Sequence, residues 1–272
     1  MPELPEVETI RRQLDKKLAG SRISEVRLLR TGRESPRGQK FVQSLRGKKI
    51  ERVERRAKLL IWRFSDGQAL TVHLKMSGRL IFVGSNYEPQ KHDRAIFTFK
   101  PAGAGCVVWS DVRQFGYMKL AAKDELAKIV GAYGPEPLKS SESKLAERLK
   151  SPKMRKIKVA LTDQANIAGI GNIYADEICF RARVRPTRRL ADLSEQDRLR
   201  LAREIKKVLR EAVKARGTSA DAYLDARGQA GAFEKKLRVY GREGKACVVC
   251  GTPIKKIRLA GRGTHFCPKC QV

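Results

Sequence analysis

The residue best suited to covalent chemistry is Pro2, in a chain start that reads MPELPE. Removal of Met1 leaves Pro2 as a secondary amine, and attack by such an amine on an aldehyde-level carbon gives an iminium ion with a fixed positive charge. The ordinary pKa of an α-amino group is about 7.7–8.0, so part of the population is already a neutral nucleophile at pH 7. We therefore predict covalent catalysis by Pro2, provided that Met1 is removed. The alternative is that Pro2 influences only Met1 removal and protein turnover.

A second chemically competent group is a set of four cysteines near the end of the chain. Two Cys-x2-Cys pairs are separated by sixteen residues, and their members are Cys247, Cys250, Cys267 and Cys270. This spacing is typical of a structural zinc site, in which four thiolates complete a tetrahedron and leave no open position for catalysis. We predict one structural Zn2+, with iron as the main alternative. His265 lies close to a ligand, but four cysteines suffice.

Basic residues lie between the two cysteine pairs, and they are Lys255, Lys256, Arg258 and Arg262. A hairpin with a basic tip above a metal site is typical of a finger that binds nucleic acid. The alternative is a staple that only stabilises a small subdomain, and the two roles are compatible. The other cysteines, Cys106 and Cys179, stand alone in apolar sequence, which predicts buried thiols rather than catalytic groups.

The charge of the chain indicates a polyanionic partner. Its 272 residues contain 59 Lys and Arg against 29 Asp and Glu, for a formal net charge of +30. Nucleic acid is the best candidate, because binding of many basic residues to a phosphate backbone releases counterions and is therefore favourable. A membrane surface fits less well, since the basic residues are spread along the chain and the sequence has neither a long apolar run nor a lipidation signal. Because no signal-peptide core is visible, we expect a cytoplasmic protein.

The elements that must position these residues change in character along the chain, whose length predicts two domains or a domain with appendages. Residues 4–19 predict a helix with Pro5 in its first turn and acidic side chains at its positive end. From about 22 to 120, short alternating runs and a hairpin signal at Asp66-Gly67 predict a β-sandwich.

Residues 131–137 are typical of a linker, and the chain beyond them is predicted to be helical. Helices are predicted at 141–149, 152–162, 172–181 and 195–215. Ser194 and Asp197 suit the start of the last helix, and Gly217 suits its end. The predicted fold class is therefore α+β: an N-terminal helix with a β-sandwich, then a helical region, then the four-cysteine segment.

Several short motifs occur in one order along the chain. They are the start at 1–9, RAKLL at 56–60, HLKMSG at 73–78, DVRQFG at 111–116, GPEPL at 134–138, GIGNIYADE at 169–177, VYGR at 239–242 and the four-cysteine finger. In this combination the chain closely resembles bacterial formamidopyrimidine-DNA glycosylases over essentially its full length. The related endonuclease VIII branch typically starts Pro-Glu-Gly-Pro-Glu, whereas this chain has Leu4 after Glu3, which favours the oxidised-purine branch.

The resemblance implies a fold, a partner and an activity. The implied domains are a catalytic helix and β-sandwich at 1–133, a helix-two-turn-helix domain at 134–242 and a zinc finger at 243–272. Damaged double-stranded DNA would be bound by a monomer, and base excision repair would be the process. The implied enzyme is a bifunctional glycosylase and abasic-site lyase, which excises 8-oxoguanine and formamidopyrimidines through a proline iminium and then cuts the strand by β,δ-elimination.

The resemblance also implies roles for individual residues. Pro2 would be the nucleophile, and Glu3 the acid/base that protonates the sugar ring oxygen. Lys58 would contact the phosphate beside the lesion and support proton transfer. His73 and Asn172 would bind other phosphates. The implied catalytic and DNA-binding sets both include Arg262, which would grip the phosphates that flank the extruded nucleotide.

An enzyme that extrudes a base must fill the space left in the duplex. By resemblance, this void-filling set consists of Met76, Arg113 and Phe115, with Arg113 bonding the orphaned cytosine and Phe115 wedging between base pairs. Glu6 would help in lesion recognition or later proton steps, and a loop near 217–235 would set lesion preference. The alternatives are ordinary packing for Met76 and Phe115, and a first-turn acid for Glu6.

Two other functions stay open at this point. One keeps the fold but changes the substrate to oxidised pyrimidines. The other is a catalytically silent zinc protein that binds DNA or RNA, which agrees with the charge but gives no reason for Pro2, Glu3 and Lys58 to occur together. Two departures from the family pattern, Cys179 and Gln114, touch none of the implied chemistry.

Overall fold

A computed structural model describes residues 1–31, 33–101, 105–219 and 223–272 of the chain. The chain forms two compact units. The first comprises Met1–Gly131 together with Ala215–Ala232, and the second comprises Ala132–Lys214 together with Phe233–Val272. Among the described residues, no helix combines the length and the apolar character that crossing a membrane requires.

The first unit begins with the predicted helix, α1 (Leu4–Leu18). Pro5 lies in its first turn, and its apolar stripe is fully buried at Val7, Ile10 and Leu14. Helical spacing places these side chains on one face, so the helix packs that face into the core of the unit. The helix prediction is confirmed, and the helix ends one residue earlier than predicted.

Two sheets follow, and their topology is largely antiparallel. The four-stranded sheet has the order β1-β7-β8-β6, and the five-stranded sheet has the order β2-β9-β5-β4-β3. Their strands are β1 (Arg22–Leu28), β2 (Glu34–Ser35), β3 (Ile50–Arg56), β4 (Leu59–Phe64), β5 (Ala69–His73), β6 (Gly78–Val83), β7 (Asp93–Lys100), β8 (Cys106–Asp111) and β9 (Tyr117–Ala121). The exception is β2, which pairs parallel to β9.

Both sheets contribute to one hydrophobic core, which confirms the predicted β-sandwich. Trp62 of β4 packs on two aromatic residues of β7, at ring-centroid distances of 5.5 Å to Phe97 and 6.0 Å to Phe99. Such tilted and edge-on pairs stabilise the core beyond the burial of their area alone. The predicted hairpin at Asp66-Gly67 joins β4 to β5, where Gly67 has a φ of +82° that suits glycine.

Two short helices of the first unit were not predicted. They are α2 (Gln39–Leu45), which buries Phe41 and Leu45, and α3 (Lys123–Gly131), which follows the last strand of the sandwich. Both are brief and offer few periodic apolar residues, so their sequence signal is weak.

The second unit is helical, as predicted. It contains α4 (Glu142–Glu147), α5 (Ile157–Thr162), α6 (Asn172–Arg181) and α7 (Glu195–Lys214), with single turns of 3-10 helix at Leu190–Asp192 and Phe233–Lys236. Ser194 caps α7, because its hydroxyl oxygen accepts from the Asp197 N–H at 3.1 Å. The apolar stripe of α7, which includes Leu201, Ile205 and Leu209, is fully buried.

One helix start was predicted wrongly. The sequence placed a helix from Pro152, whereas α5 begins at Ile157. Residues 153–156 bond instead to residues 188–191: the Leu190 N–H donates to Arg155 O at 2.9 Å, and the Ala191 N–H donates to Lys153 O at 2.9 Å. These partners are distant in sequence, so a local helix signal could not reveal them.

The segment predicted as a linker is packed against the second unit. The Gly134 N–H donates to Gln164 O at 2.8 Å, and the Ala168 N–H donates to Pro135 O at 3.1 Å. A Cβ atom at Gly134 would lie 2.5 Å from Asn166 O, so only glycine fits there. The four-cysteine segment carries the hairpin of β10 (Lys255–Leu259) and β11 (Arg262–Phe266).

Candidate functional site

The first residues of the chain form a buried cap on α1. Pro2 is buried, and Glu3 is the N-cap residue with 1 % exposure. The Glu6 Oε2 accepts a hydrogen bond from the Glu3 N–H at 2.8 Å, as one half of a capping box. The chain described here retains Met1, so the Pro2 nitrogen is an amide in this structure. The cap places both Pro2 and Glu3 at the positive end of the α1 dipole.

The second oxygen of Glu6 holds a distant segment of the first unit. Its Oε1 accepts from the Thr218 N–H at 2.7 Å. A Cβ atom on Gly217 would lie 2.6 Å from the same Oε1, and Gly217 has a φ of +85°. Close approach and backbone conformation therefore both require glycine beside Glu6. Gly231 is equally confined, since a Cβ there would lie 2.2 Å from Gly217 O.

Other contacts fasten the segment 215–232 within the first unit. The Gln13 side chain donates to Asp225 Oδ2 at 2.9 Å and accepts from the Ala226 N–H at 2.8 Å. The Phe82 N–H of β6 donates to Ala226 O at 2.8 Å. This segment contains most of the predicted recognition loop at 217–235, of which residues 220–222 lie outside the described ranges.

Lys58 lies at the turn between β3 and β4, and it is 6 % exposed. The preceding Ala57 has a φ of +53°, an uncommon conformation for a residue with a Cβ atom. The Arg55 guanidinium fixes this turn, because it donates to Ala57 O at 2.8 Å and to Glu8 Oε2 at 3.0 Å. Burial by itself raises the pKa of Glu8, but hydrogen bonds and charges from Arg11 and Arg55 hold that pKa at about 2. A permanent carboxylate on α1 thus anchors the turn that carries Lys58.

His73 is the last residue of β5, opposite Leu59 in the neighbouring strand. Burial, followed by the charges of Lys75 and Lys58, lowers the pKa of His73 from 6.5 to about 3. Its Nδ1 accepts from the Lys75 N–H at 3.0 Å, so the neutral ring carries its proton on Nε2. A neutral imidazole in this tautomer can donate one hydrogen bond to an oxygen ligand.

The predicted void-filling residues lie at the tips of two neighbouring loops of the first unit. Met76 is 37 % exposed in the loop between β5 and β6, and Phe115 is 46 % exposed in the loop between β8 and β9. The Arg113 guanidinium lies 5.3 Å from the centre of the Phe115 ring. Non-glycine residues with positive φ occur in both loops, namely Lys75 at +50° and Gln114 at +58°. Strained backbone of this kind is a common feature of functional loops.

Asp111 joins these two loops, and sequence reasoning missed its role. Its Oδ1 accepts from the Ser77 hydroxyl at 2.5 Å, and its Oδ2 accepts from the Gly116 N–H at 2.7 Å. The Ser77 Oγ in turn accepts from the Arg113 N–H at 2.9 Å. Asp111 is 1 % exposed. In the sequence, Asp111 is an acidic residue at the end of an apolar strand and the first residue of the DVRQFG motif, and acids at strand ends are also common at ordinary turns.

In the second unit, Asn172 is the first residue of α6 and Gly171 is its N-cap. The Asn172 Oδ1 is buried and has no hydrogen-bond partner among the described residues. Asn172 also lies at the positive end of the α6 dipole, which attracts anions. A half-turn of the amide group would direct its NH2 donor to the same place, so this helix end suits a phosphate.

The basic hairpin is fixed to α6 by a buried network that sequence reasoning also missed. Asp176 is fully buried, and its Oδ1 lies 2.7 Å from the Lys158 Nζ. Its Oδ2 accepts from the His265 N–H at 2.9 Å and contacts the His265 Nδ1 at 3.2 Å. Lys158 also donates to Gly263 O at 2.8 Å. These bonds hold β11, which begins at the exposed Arg262.

The four predicted ligands meet in the second unit, and their sulfur atoms all lie within 4.8 Å of one another. The Sγ atoms of Cys247 and Cys270 are 3.9 Å apart, and those of Cys250 and Cys267 are 3.5 Å apart. Tetrahedral zinc with Zn–S bonds of about 2.3 Å requires sulfurs about 3.8 Å apart. The donor set therefore fits one structural Zn2+, and His265 is occupied by Asp176 instead.

The backbone that leads into the metal site has its own anchor. Glu177, which is fully buried, accepts from three successive N–H groups at Arg238, Val239 and Tyr240, at 2.9–3.0 Å. Burial raises the pKa of Glu177, while the three backbone donors act in the opposite direction. Adjacent acids on α6 thus tie down both ends of the four-cysteine segment, Asp176 through β11 and Glu177 through residues 238–240.

Comparison with known proteins gives matches along nearly the whole chain. The profile of the formamidopyrimidine-DNA glycosylase N-terminal domain matches residues 1–118, and that of the H2TH domain of the same glycosylases matches residues 133–223. The profile of the zinc finger found in FPG and IleRS matches residues 244–272. A formamidopyrimidine-DNA glycosylase of Desulfitobacterium hafniense strain Y51 is 41% identical over 277 residues, with 100% of both chains covered.

Solved structures agree with these matches. The Lactococcus lactis Fpg in complex with DNA that contains an abasic site has a TM-score of 0.91 and 36% identity, with 99% of each chain covered. The same protein in complex with DNA that contains an oxidised pyrimidine has a TM-score of 0.90 and 35% identity, also with 99% of each chain covered.

Proposed function

Because the chain belongs to the formamidopyrimidine-DNA glycosylase family, we propose that it excises oxidised purines such as 8-oxoguanine and formamidopyrimidines from duplex DNA and then cuts the abasic strand. The reaction is a step of base excision repair. The observation that carries this proposal is the buried cap at Pro2 and Glu3, which α1 and Glu6 hold in place. A protein that only bound DNA would have no use for a fixed and buried proline that becomes a secondary amine once Met1 is removed.

The proposed chemistry starts after Met1 has been removed. The Pro2 nitrogen attacks C1′ of the damaged nucleotide, and the glycosidic bond breaks with its electron pair leaving on the base. Opening of the sugar ring gives an iminium ion between Pro2 and C1′. This cation acidifies the 2′ hydrogen, so loss of that proton expels the 3′ phosphate, and a second elimination expels the 5′ phosphate. The N-terminal position at a helix start supports the proposal, because the helix dipole disfavours a protonated amine.

Glu3 is proposed as the acid/base partner of Pro2. Glu3 is adjacent to Pro2 in sequence and is nearly fully buried, so its carboxyl group is held close to the nucleophile. It would protonate the sugar ring oxygen as the ring opens and accept protons in the eliminations. Each carboxylate oxygen of Glu6 accepts a hydrogen bond from a backbone N–H group. Because both oxygens are occupied in this way, we propose that Glu6 has a positioning role in lesion recognition rather than a role in proton transfer.

Phosphate binding is proposed for four basic or polar residues, distributed over both units. Lys58 and His73 lie at adjacent strand ends of the first unit, where Lys58 supplies a charge and His73 a neutral donor. In the second unit, Asn172 offers a helix N-terminus, and Arg262 lies on a hairpin that the Asp176 network supports. Each of the four would contribute a phosphate contact to the bound duplex.

Extrusion of a base costs a few kcal/mol, and side chains that fill the vacated stack recover part of this cost. Met76, Arg113 and Phe115 are proposed for this role because they are exposed on two loops that Asp111 and Ser77 lock together. We further propose that a monomer acts on damaged duplex DNA, with domains at 1–133, 134–242 and 243–272.

The decisive experiment is borohydride trapping on a duplex that contains one 8-oxoguanine opposite cytosine. Borohydride reduces an iminium ion to a stable amine, so a covalent protein–DNA band reports the intermediate. Mass spectrometry must first show that the protein starts at Pro2. We expect a band that disappears in Pro2→Gly and a strong loss of base release in Glu3→Gln. Absence of the band from processed protein that still binds the duplex contradicts the proposal.

A second substrate class belongs in the same experiment, because the Lactococcus lactis relative was solved with DNA that contains an oxidised pyrimidine. A thymine glycol duplex tests it directly. Preferential release of thymine glycol would assign the chain to pyrimidine repair, and cleavage of neither duplex would leave a DNA-binding protein.

A further inference from the structure

A basic groove lies beside the first zinc knuckle of the second unit. It consists of two adjoining cavities of about 230 and 590 Å3, which share Arg181 and Arg238 in their walls. We call it the knuckle groove, and its basic side chains are Arg181, Arg183, Lys207, Lys235, Lys236, Arg238 and Arg242. Their number gives the groove a strong positive charge.

Acidic side chains in the walls offset only part of this charge. The carboxylates there are Glu204 and Glu211, and Glu211 is paired with Arg181 at 2.7 Å. Within the described ranges, Arg183 and Arg238 have no carboxylate at ion-pair distance. Both of these arginines are exposed. The groove therefore presents unbalanced guanidinium groups, which bind carboxylates or phosphates in bidentate geometry.

Two exposed apolar side chains border the same groove. Val249 lines the smaller cavity and Val248 the larger one, with 56% and 55% of their surface exposed. Knuckle geometry turns both residues outward, since the Val249 N–H donates to Cys247 Sγ at 3.5 Å. That geometry fixes the direction of the two side chains but does not require them to be apolar. Adjacent exposed valines among basic residues are therefore a candidate contact surface.

The groove is separate from the residues proposed to grip the DNA. Arg181 is the last residue of α6, whereas Asn172 is the first. At 1.5 Å per residue, the two ends of this helix are about 14 Å apart. Arg262 lies at the start of β11, and it is not part of either cavity wall of the groove. The proposed reaction therefore does not use the groove.

We propose that the knuckle groove binds an acidic, extended segment of a partner protein that carries an apolar residue among its carboxylates. The basic side chains match the carboxylates, and Val248 with Val249 match the apolar residue. A DNA backbone offers phosphates for the arginines, but it offers the valines no apolar partner of comparable size. Peptide chemistry accounts for both features of the groove, and DNA accounts for one.

The test uses full-length, zinc-loaded protein and fluorescence anisotropy at about 0.15 M salt, where weak long-range attraction is screened. The probe is a short fluorescein-labelled peptide of aspartates and glutamates around one Leu-Phe pair. A second peptide replaces that pair by Ser-Ser. We expect the first peptide to bind at least about tenfold more tightly than the second, equivalent to about 1.4 kcal/mol.

Two double variants locate the binding. Val248→Ser with Val249→Ser removes the apolar surface without changing charge. This variant should bind the Leu-Phe peptide about tenfold more weakly and should bind the Ser-Ser peptide with unchanged affinity. Arg183→Glu with Arg238→Glu should abolish binding of both peptides. The matched controls are Val272→Ser, an exposed valine outside the groove, and Lys144→Glu with Lys153→Glu, which makes the same charge change elsewhere in the second unit. Base excision should be unaffected in all of these variants.

Three results would overturn the proposal. Equal binding of the two peptides would show that the groove recognises charge alone. If the charge reversals in the groove and the control charge reversals weaken peptide binding equally, no defined site exists. Weaker binding of an undamaged DNA duplex by the groove variants, with unchanged peptide binding, would assign the groove to DNA.

Discussion

One carboxylate of the first unit joins the start of the chain to a segment 212 residues later: the Glu6 Oε1 accepts from the Thr218 N–H at 2.7 Å. The other oxygen of Glu6 accepts from the Glu3 N–H at 2.8 Å. The residue beside the proposed nucleophile and the proposed recognition segment therefore share one buried acid. Any movement of the segment at 217–218 changes the surroundings of Glu3.

Replacement of Gly217 by alanine tests this link. The new Cβ atom would lie 2.6 Å from Glu6 Oε1 at a φ of +85°, so the segment must shift away from Glu6. We expect 8-oxoguanine release to fall about tenfold or more, because small displacements near reacting groups cost this much. Cleavage of a preformed abasic site, which needs no base recognition, should change far less. Single-turnover rates on the two duplexes measure the difference.

Gly228→Ala is the matched control for this variant. Gly228 lies in the same segment with a φ of +75°, but its Cβ would have ordinary contact only, at 3.9 Å from Ile81. It therefore introduces similar backbone strain without the collision. If both variants lose 8-oxoguanine release equally, strain rather than the Glu6 contact is responsible, and the link has no role in recognition.

Asp111→Asn tests the clamp between the Met76 loop and the Arg113 loop. The variant keeps the shape but removes the charge that accepts from Ser77 and Gly116. Hydrogen bonds to a charged group contribute about 1.5–3 kcal/mol each, so we expect a lower free energy of unfolding by roughly that amount. Urea denaturation measures it, with Ser110→Ala on the same strand as control. A change of less than about 0.5 kcal/mol would show that the loops are held by other contacts.

Arg113→Ala should weaken the preference for cytosine opposite the lesion. Arg113 is exposed on its loop and stacked 5.3 Å from the Phe115 ring centre, a position that suits contact with an unpaired base. The measurement is 8-oxoguanine release opposite cytosine and opposite adenine. Val112→Ala, at a neighbouring residue that is 52% exposed, is the control and should keep the preference. Unchanged discrimination in Arg113→Ala would remove this residue from the void-filling set.

His73 gives a pH dependence with a defined sign. Its pKa is lowered from 6.5 to about 3 in the folded chain, first by burial and then by Lys75 and Lys58. Between these two pH values the unfolded chain binds more protons at this site than the folded chain, so the free energy of unfolding decreases as pH falls from 6.5 towards 3. His73→Gln should flatten this part of the stability curve. An NMR titration that showed an ordinary midpoint near 6.5 for His73 would contradict the prediction.

Removal of zinc should disorganise the segment at 243–272 without unfolding the first unit. Structural zinc sites supply folding free energy, and the four thiolates otherwise repel one another. We expect Cys250→Ser to lose stoichiometric zinc and most duplex binding, since Arg262 lies on the adjoining hairpin. Cys106→Ser, in the sandwich, should keep its zinc. Metal analysis and binding assays decide this, and normal binding by zinc-free protein would exclude a role for the finger in DNA contact.

Local patterns in the sequence were sufficient for the main elements. The stripe of α1 follows helical spacing, Asp66-Gly67 adopts the turn that its residue types favour, and Ser194 caps α7. The spacing of the four cysteines was sufficient to predict the metal site. Each of these features depends on interactions between residues that are close in the chain or on a ligand set that few other functions use.

Contacts between distant residues were decided only by the tertiary structure. α5 starts at Ile157 rather than Pro152 because residues 153–156 bond to 188–191. The partners of Glu6, Asp111 and Asp176 lie far along the chain, and a buried acid looks the same in sequence as an exposed one. The sequence thus determined which groups are available for chemistry. Folding determined which backbone and side-chain donors bind each acid. A buried charge is costly unless it is hydrogen-bonded, and the available donors come from segments that are distant in sequence.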